Sequence, residues 1–205
     1  MKRRDFFLMS STGVALGAGA ATGTAFGAAP PPQDHTRGLS AERFGIRGDG
    51  RSDDTDALQA ALDALANDRE VGILTLPPGD YIVTRPLRLD LRKKRYGGIW
   101  GISAYGARIR SQIDDGQDVL SIDSTTVARF MLIEGLTIRG SGKDGDGLSV
   151  HCDGNRHYIY NAAMRDVVVE NCGRDGCRMI GNIFESQIIN CYFRDNGANG
   201  VTMGH

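Results

Sequence analysis

The chain has 205 residues, including 28 glycines, and its 24 lysines and arginines nearly balance its 25 aspartates and glutamates. This balance excludes the strongly basic composition of a typical nucleic-acid-binding domain. The sequence also has no run of about 18 strongly apolar residues that would span a bilayer. At this length one domain is expected. The glycine content is about twice the usual ~7% share, which predicts many tight turns.

The first 29 residues have the layout of an export signal. Arg3 and Arg4 precede the apolar Phe6, Phe7 and Leu8, and a weakly hydrophobic stretch rich in alanine and glycine follows. This arrangement resembles a twin-arginine signal and predicts a periplasmic or extracellular protein. Residues 30–42 begin with three prolines and are predicted to form a polar linker.

A helix is predicted next, over residues 54–66. It follows the glycine-rich turn 48–50, and Asp53 or Asp54 can cap its free amides. Short strands are predicted at 71–76 and 81–83, separated by a turn that contains two prolines and a glycine.

The second half of the chain contains an imperfect repeat. Apolar triplets at 167–169 and 191–193 are each followed by glycines at matching positions, with an offset of 24 residues. A related segment at 136–138 lies 31 residues before the first of these triplets. Short strands that recur with glycine corners are typical of a solenoid. In such a stack the helix at 54–66 would cover the exposed first edge.

Residues 43–83 resemble the opening of right-handed parallel β-helix proteins of the pectate lyase superfamily, including rhamnogalacturonase-like and epimerase branches. The resemblance rests on three segments: Phe44-Gly45 with Gly48-Asp49-Gly50, then Asp53-Asp54-Thr55, then Leu76-Pro77-Pro78-Gly79. It implies an all-β, right-handed, single-stranded parallel β-helix over 43–205 with an N-terminal capping α-helix. Because this family includes lyases, hydrolases, epimerases and phage tail proteins, the resemblance does not specify the reaction.

A 31-residue alignment of the repeats places Lys143 beside Arg174 and Asp144 beside Asp175. These four residues are the candidate catalytic groups. The two carboxylates would serve as the acid and base of glycoside cleavage. Alternatively they would hold Ca²⁺ while Lys143 or Arg174 neutralises a uronate carboxylate and abstracts its C5 proton. The structural alternative is that all four form ordinary surface ion pairs. No other metal site and no other cofactor is predicted.

Further candidate groups lie near these repeats. His151 and His157 flank a polar loop and are candidates for substrate binding, and the basic run 92–95 could attract an anionic polysaccharide. The four cysteines are predicted to be buried thiols, with a Cys172–Cys177 disulfide as the alternative.

Together these features predict an exported protein that cleaves or modifies an acidic polysaccharide, as a lyase-like or hydrolase-like enzyme. A noncatalytic glycan-binding or surface-structural β-helix, which could form oligomers, is the rival hypothesis. A third is that the chain is the N-terminal part of a longer enzyme, because the repeat is interrupted at 203–205.

Overall fold

The computed structural model describes residues 38–67, 72–91, 100–152 and 157–204. The predicted signal at 1–29, most of the predicted linker and the basic run 92–95 lie outside the described residues. Within the described ranges, no helix is both long enough and apolar enough to cross a membrane.

The chain folds into a parallel β-helix. Its elements are β1 (Leu39–Ser40), β2 (Asp49–Asp53), α1 (Thr55–Asn67), β3 (Ile73–Thr75), β4 (Gly79–Val83), β5 (Leu87–Asp90), β6 (Trp100–Ser103), β7 (Ala107–Ser111), β8 (Leu120–Ser124), β9 (Val127–Arg129), β10 (Met131–Glu134), β11 (Thr137–Arg139), β12 (Leu148–Cys152), β13 (Tyr158–Tyr160), β14 (Ala163–Arg165), β15 (Val168–Glu170), β16 (Cys177–Gly181), β17 (Ile183–Phe184), β18 (Gln187–Ile189), β19 (Tyr192–Arg194) and β20 (Val201–Gly204). A short 3-10 helix, Ala41–Phe44, follows β1.

These strands form four sheets, and the pairings between neighbouring strands are parallel. The first sheet has the order β1-β3-β6-β10-β14-β18 and the second β19-β15-β11-β7-β4-β2. The third sheet has the order β20-β16-β12-β8-β5 and the fourth β17-β13-β9. Because the chain visits the sheets in turn before each return, the predicted all-β parallel β-helix is confirmed.

Apolar side chains stack in columns inside the coil. In the third sheet Leu120, Leu148 and Cys177 occupy matching positions in successive turns, and all three are fully buried. Ile122, Val150 and Met179, two residues further along the same strands, form a second buried column. Alternate residues along each strand point to opposite faces, so the intervening polar residues lie on the outer surface.

The helix packs on the first turn of the coil through Leu58, Leu62 and Leu65, which are buried. Asp53 Oδ1 accepts the Thr55 amide hydrogen at 2.9 Å, so Asp53 provides the side-chain cap. The buried Asp54 carboxylate instead accepts hydrogen bonds from the backbone N–H groups of Arg47 at 2.7 Å and Gly48 at 3.1 Å. Asp54 therefore fixes the preceding turn rather than capping the helix.

Many corners of the coil use the left-handed backbone conformation without glycine. The residues are Phe130, Asn161, Asp166, Asn171, Glu185, Asn190 and Asp195, with φ between 51° and 57°. Side chains in neighbouring turns bond at two of these corners: Asn161 Nδ2 donates to Glu185 Oε2 at 2.9 Å, and Asn190 Nδ2 donates to Asp166 Oδ1 at 2.6 Å. Asparagine and aspartate tolerate this conformation better than most residues, so the corners of the coil do not depend on glycine alone.

All four cysteines lie within the described residues, and no disulfide joins them. Cys152, Cys172 and Cys177 are buried, and Cys191 is half-buried. Burial raises the pKa of both the Cys172 and the Cys177 thiol to about 12. The prediction of buried thiols is confirmed for these core positions, and the alternative Cys172–Cys177 bridge is wrong.

Candidate functional site

The turns before the third sheet are stacked by a ladder of acidic side chains. Asp118 Oδ1 accepts the Asp146 amide hydrogen at 2.8 Å, Asp146 Oδ1 accepts that of Asp175 at 3.0 Å, and Asp175 Oδ1 accepts that of Asn199 at 2.9 Å. We call Asp118, Asp146, Asp175 and Asn199 the aspartate ladder. Each carboxylate therefore fixes the backbone of the following turn.

The ladder corrects the predicted neighbours of Asp144 and Asp175. Asp175 lies against Asp146, and the Arg174 amide hydrogen bonds to the Gly145 carbonyl at 3.0 Å, so Lys143 is not the partner of Arg174. The repeat that contains Asp144 is two residues longer than the next repeat. The 31-residue alignment assumed that these two residues follow Asp144, but in the structure they precede it. The local offset is consequently 29 residues.

Asp144 has backbone partners of its own. Its side chain is buried, and it accepts hydrogen bonds from the backbone N–H groups of Ser141 at 2.8 Å and Gly173 at 2.9 Å. Lys143 is exposed on the same turn, and its amide donates to Ser141 Oγ at 3.0 Å. These contacts give Asp144 a clear structural task in joining two turns.

Arg174 links the ladder to the outer surface. Its Nη2 lies 2.6 Å from Asp118 Oδ1, and its Nε lies 3.4 Å from Asp146 Oδ1. Burial raises the pKa of Asp146, and the charge of Asp118 adds to this effect while Arg174 opposes it. For Asp175, burial alone would raise the pKa, but hydrogen bonds from Asn199 and Thr202 lower it overall.

A groove of about 350 Å³ lies on the outer face of the third sheet, next to this ladder. Arg88, Ser121, Ser149 and Arg178 occupy matching outward positions of successive strands, and Ser149 Oγ donates to Ser121 Oγ at 3.1 Å. With Arg174, three arginines line the groove. Their guanidinium groups can bind carboxylates through two parallel hydrogen bonds.

His151 and Asp123 form a second outward row in the groove. They are partners in the β8–β12 ladder, and His151 Nδ1 lies 3.9 Å from Asp123 Oδ1. Both side chains are about half exposed, at 49% and 47%. His151 thus lies on strand β12, at one edge of the predicted polar loop, and residues 153–156 of that loop lie outside the described residues. A histidine beside a carboxylate can act as a general base near neutral pH.

The other predicted histidine lies next to a different sheet, the fourth. His157 immediately precedes β13 and is half-buried, and its carbonyl oxygen accepts a hydrogen bond from Asn182 Nδ2 at 3.2 Å. Among the described residues that line the groove, only His151 comes from the predicted pair.

The described ranges contain no group of three or more His, Cys, Asp or Glu side chains arranged to hold a metal ion. The neighbouring carboxylates of Asp118 and Asp146 both contact the Arg174 guanidinium. A Ca²⁺ bound to these two oxygens would have to displace the guanidinium, because both cations would compete for the same carboxylate oxygens.

Asp123, Arg88 and Arg178 were absent from the candidates drawn from the sequence. The useful signal was the similarity between residues 120–124 and 148–152, in which apolar and polar residues alternate in the same phase. That pattern places Asp123 and His151 at equivalent outward positions of adjacent turns. Glycine spacing alone does not reveal this register.

Comparison with known proteins supports the architecture. Residues 39–109 match the family model described as rhamnogalacturonase A/epimerase, pectate lyase-like. Over 41 residues, which are 20% of this chain and 5% of the relative, the sequence is 54% identical to "Alginate lyase 7" of Azotobacter vinelandii.

Two solved structures are similar in fold. One is ORF18 of Geobacillus virus E2, with a TM-score of 0.60, 20% identity and coverage of 82% of this chain and 38% of that chain. The other is the A-module of a mannuronan C-5 epimerase from Azotobacter vinelandii, with a TM-score of 0.50, 21% identity and coverage of 80% of this chain and 58% of that chain. This chain therefore spans less than two thirds of the length of each relative. Its fold is a parallel β-helix, and the match to the pectate lyase-like family model is limited to residues 39–109.

Proposed function

We propose that this protein binds an acidic polysaccharide in the groove of the third sheet and cleaves it by removing the C5 proton of a uronate residue. The observation that carries this proposal is the His151–Asp123 pair, with nitrogen and oxygen 3.9 Å apart, in an open groove lined by three arginines. The partial match to an alginate lyase and the match of residues 39–109 to a pectate lyase-like model support the substrate class.

The arginines would bind the polymer and prepare it for reaction. Arg178 lies in the row adjacent to His151, on the next strand, and Arg88 lies at the other end of the same row. Diagonal neighbours across a sheet are about 7–8 Å apart, which is within reach of long side chains. An arginine on the uronate carboxylate would withdraw charge and make the C5 hydrogen more acidic.

His151 would then act as the base. Neutral His151 accepts the C5 proton through Nε2, a double bond forms between C4 and C5, and the bond from C4 to the glycosidic oxygen breaks. Water protonates the departing oxygen, and the resulting imidazolium later returns its proton to solvent. Asp123, next to Nδ1, would orient the ring and stabilise its charged form.

Of the residues first proposed as catalytic, Arg174 keeps a role in this groove as a neutralising cation. Asp144 and Asp175 accept backbone hydrogen bonds and would support the site indirectly. Lys143 would serve only as a surface cation on the turn.

Export remains a proposal that rests on residues 1–29. A fusion of this segment to a reporter that folds before export should reach the periplasm, and replacement of Arg3 and Arg4 by lysine should retain it in the cytoplasm. Unchanged export of the double lysine variant would contradict the twin-arginine assignment.

The catalytic proposal is tested with alginate and polygalacturonate by following the ultraviolet absorbance of unsaturated products. His151→Gln should lower kcat by about 100-fold or more, because general-base catalysis contributes about 10²–10⁴-fold. His157→Gln is the matched control and should keep the wild-type rate. Asp123→Asn should lower kcat, because the ring of His151 would lose the carboxylate beside Nδ1.

The rival hypothesis makes a different prediction for the same experiment. A noncatalytic glycan-binding β-helix would bind these polymers, release no unsaturated ends, and lose affinity in Arg178→Gln. Full activity of His151→Gln would instead contradict the assignment of the base.

A further inference from the structure

Three aromatic rings cluster on the outer face of the fourth sheet. The ring centroids of Tyr158 and Tyr160 are 5.7 Å apart, and that of Phe184 lies 5.8 Å from Tyr158 and 5.5 Å from Tyr160. The planes of the three pairs are tilted by 32–38°. This spacing is within the favourable range for aromatic contacts.

Strand alternation directs these rings outward. Ile159, between the two tyrosines, is fully buried in the core, and Ile183, before Phe184, packs against the core. Tyr160 and Phe184 are direct partners in adjacent turns. All three aromatic residues are partly exposed, so their rings are accessible from solvent while being held by the sheet.

A cation extends this cluster into the preceding turn. Arg129 is the ladder partner of Tyr160 on β9, and its Cζ lies 5.5 Å from the centroid of the Tyr160 ring. Arg129 is exposed. We call Tyr158, Tyr160, Phe184 and Arg129 the aromatic platform.

The aromatic platform lies on the sheet that follows the groove sheet along the chain. Ile180 lines the groove at the end of the third sheet, and β17 of the fourth sheet begins only three residues later. A polymer long enough to extend past the groove and around this bend would reach the sheet that carries the platform. The platform therefore lies on a path that a long chain can follow but a short oligosaccharide need not reach.

The chemistry of the platform matches a sugar ring that carries a carboxylate. The C–H groups on one face of a pyranose pack well on aromatic rings, because the ring face is electron-rich. The Arg129 guanidinium lies over one face of the Tyr160 ring and is exposed, so it can bind the acidic group of a sugar that packs beside it on the platform. Arg129 supplies this charge complementarity.

We propose that the aromatic platform is a second binding surface for the same acidic polysaccharide, which stacks pyranose rings outside the groove. This inference rests on the proposed function for the identity of the polymer. It adds a chain-length preference: long polyuronates would contact both surfaces, and short ones only the groove.

The test uses the full chain carrying His151→Gln, so that binding is measured without turnover. Tyr160→Leu keeps an apolar side chain and removes the flat ring. In calorimetric titrations with a polyuronate of about twenty sugars, it should weaken binding about tenfold or more, which corresponds to the loss of one well-packed aromatic contact. Binding of a trimer should be unchanged.

Tyr192→Leu is the matched control, because Tyr192 is an exposed tyrosine on β19 of the second sheet, with 63% of its surface accessible. It should bind both ligands as the parent does. A melting temperature within the error of the parent shows that Tyr160→Leu is folded. Should it fall, Phe184→Leu serves as the second variant with the same expectation.

Arg129→Gln separates charge from stacking. It should weaken binding of the polyuronate and leave binding of a neutral glucan of the same length unchanged. Equal losses for the two polymers would overturn the role of Arg129. The platform proposal would be overturned if folded Tyr160→Leu bound the long polyuronate as tightly as the parent does. It would also be overturned if Tyr192→Leu lost as much affinity as Tyr160→Leu.

The outcomes also separate this inference from the catalytic proposal. A wild-type protein that binds long chains through Tyr160 but never forms unsaturated ends would disprove the cleavage step and leave the platform intact. A protein that cleaves polyuronates and binds them equally with Tyr160 or Leu at this position would disprove the platform alone.

Discussion

Replacing Asp144 distinguishes a structural carboxylate from a catalytic one. The side chain is only 2% exposed and accepts two backbone hydrogen bonds, from Ser141 N at 2.8 Å and Gly173 N at 2.9 Å. Asp144→Ala removes both acceptors and leaves two donors of the turn without these partners. Hydrogen bonds to charged groups contribute about 1.5–3 kcal/mol each, so the free energy of unfolding should fall by about 3 kcal/mol or more.

This loss is large enough to measure by thermal unfolding. For a domain of this size, each kcal/mol shifts the melting temperature by about 2–4 °C, so Asp144→Ala should melt about 6–12 °C lower than the wild type. Asp144→Asn keeps one acceptor oxygen and should show roughly half of the effect. Asp114→Ala changes an exposed aspartate and should leave the melting temperature unchanged.

Activity per folded molecule completes the test. If Asp144 only joins two turns, the folded fraction of Asp144→Ala should retain turnover close to wild type. A variant that melts like the wild type but loses turnover would refute the structural role and restore Asp144 as a catalytic group.

Three further predictions concern the coil itself. Gly48→Ala should lower the free energy of unfolding in urea by about 2–4 kcal/mol, because φ is +60° and the new Cβ would lie 2.8 Å from the ring of Tyr81. The new Cβ of Gly45→Ala meets no atom within 4 Å, so this control should lose only about 1 kcal/mol. Equal losses in the two variants would contradict the prediction. Iodoacetamide at pH 8 should leave Cys172 and Cys177 unmodified in the native protein, since a pKa of about 12 leaves roughly one thiol in ten thousand ionised. Rapid labelling of either cysteine, detected by mass spectrometry, would contradict this prediction. Hydrogen bonds lower the pKa of Asp166 below its usual 3.8, so its contribution to stability is present above pH 3.8 and disappears as the pH falls through the lower pKa of the folded state. The difference in unfolding free energy between wild type and Asp166→Asn should therefore shrink from pH 7 to pH 2. A difference that stays constant over this range would contradict the prediction.

Local features of the sequence predicted the N-terminal part of the fold well. The helix could be placed because its cap, its apolar face and its length are all encoded within about fifteen neighbouring residues. The motif glycines also have a local cause: Gly48 lies under the ring of Tyr81, whose hydroxyl donates to the Pro77 carbonyl at 2.7 Å.

The stacking register was harder to predict, because it depends on which turn absorbs an insertion. Gly140 lies opposite Asn171, but Asp144 lies opposite Gly173, so the extra residues fall between Gly140 and Asp144. The turn is closed there by Ser141, whose Oγ accepts the Lys143 and Asp144 amide hydrogens. Nothing in the glycine spacing distinguishes this position from one a few residues later, and the candidate acidic pair was shifted accordingly.

The candidate groove was missed for a related reason. His151 and Asp123 are distant in sequence and become neighbours only when two strands are aligned residue by residue. The alternation within each strand fixes which side chains point outward, but the neighbours on that surface follow from the register. A search based on short motifs therefore finds the fold sooner than the site.

The aspartate ladder has a consequence for how such a protein can diversify. Its members are separated by 28, 29 and 24 residues, yet each carboxylate meets the same backbone position of the next turn. Each of these hydrogen bonds sets the register between one turn and the next. A loop can therefore gain or lose residues in one turn without shifting the strands that follow. Evolution can thus vary the loops at the rim of the groove, one turn at a time, while the coil beneath them stays unchanged.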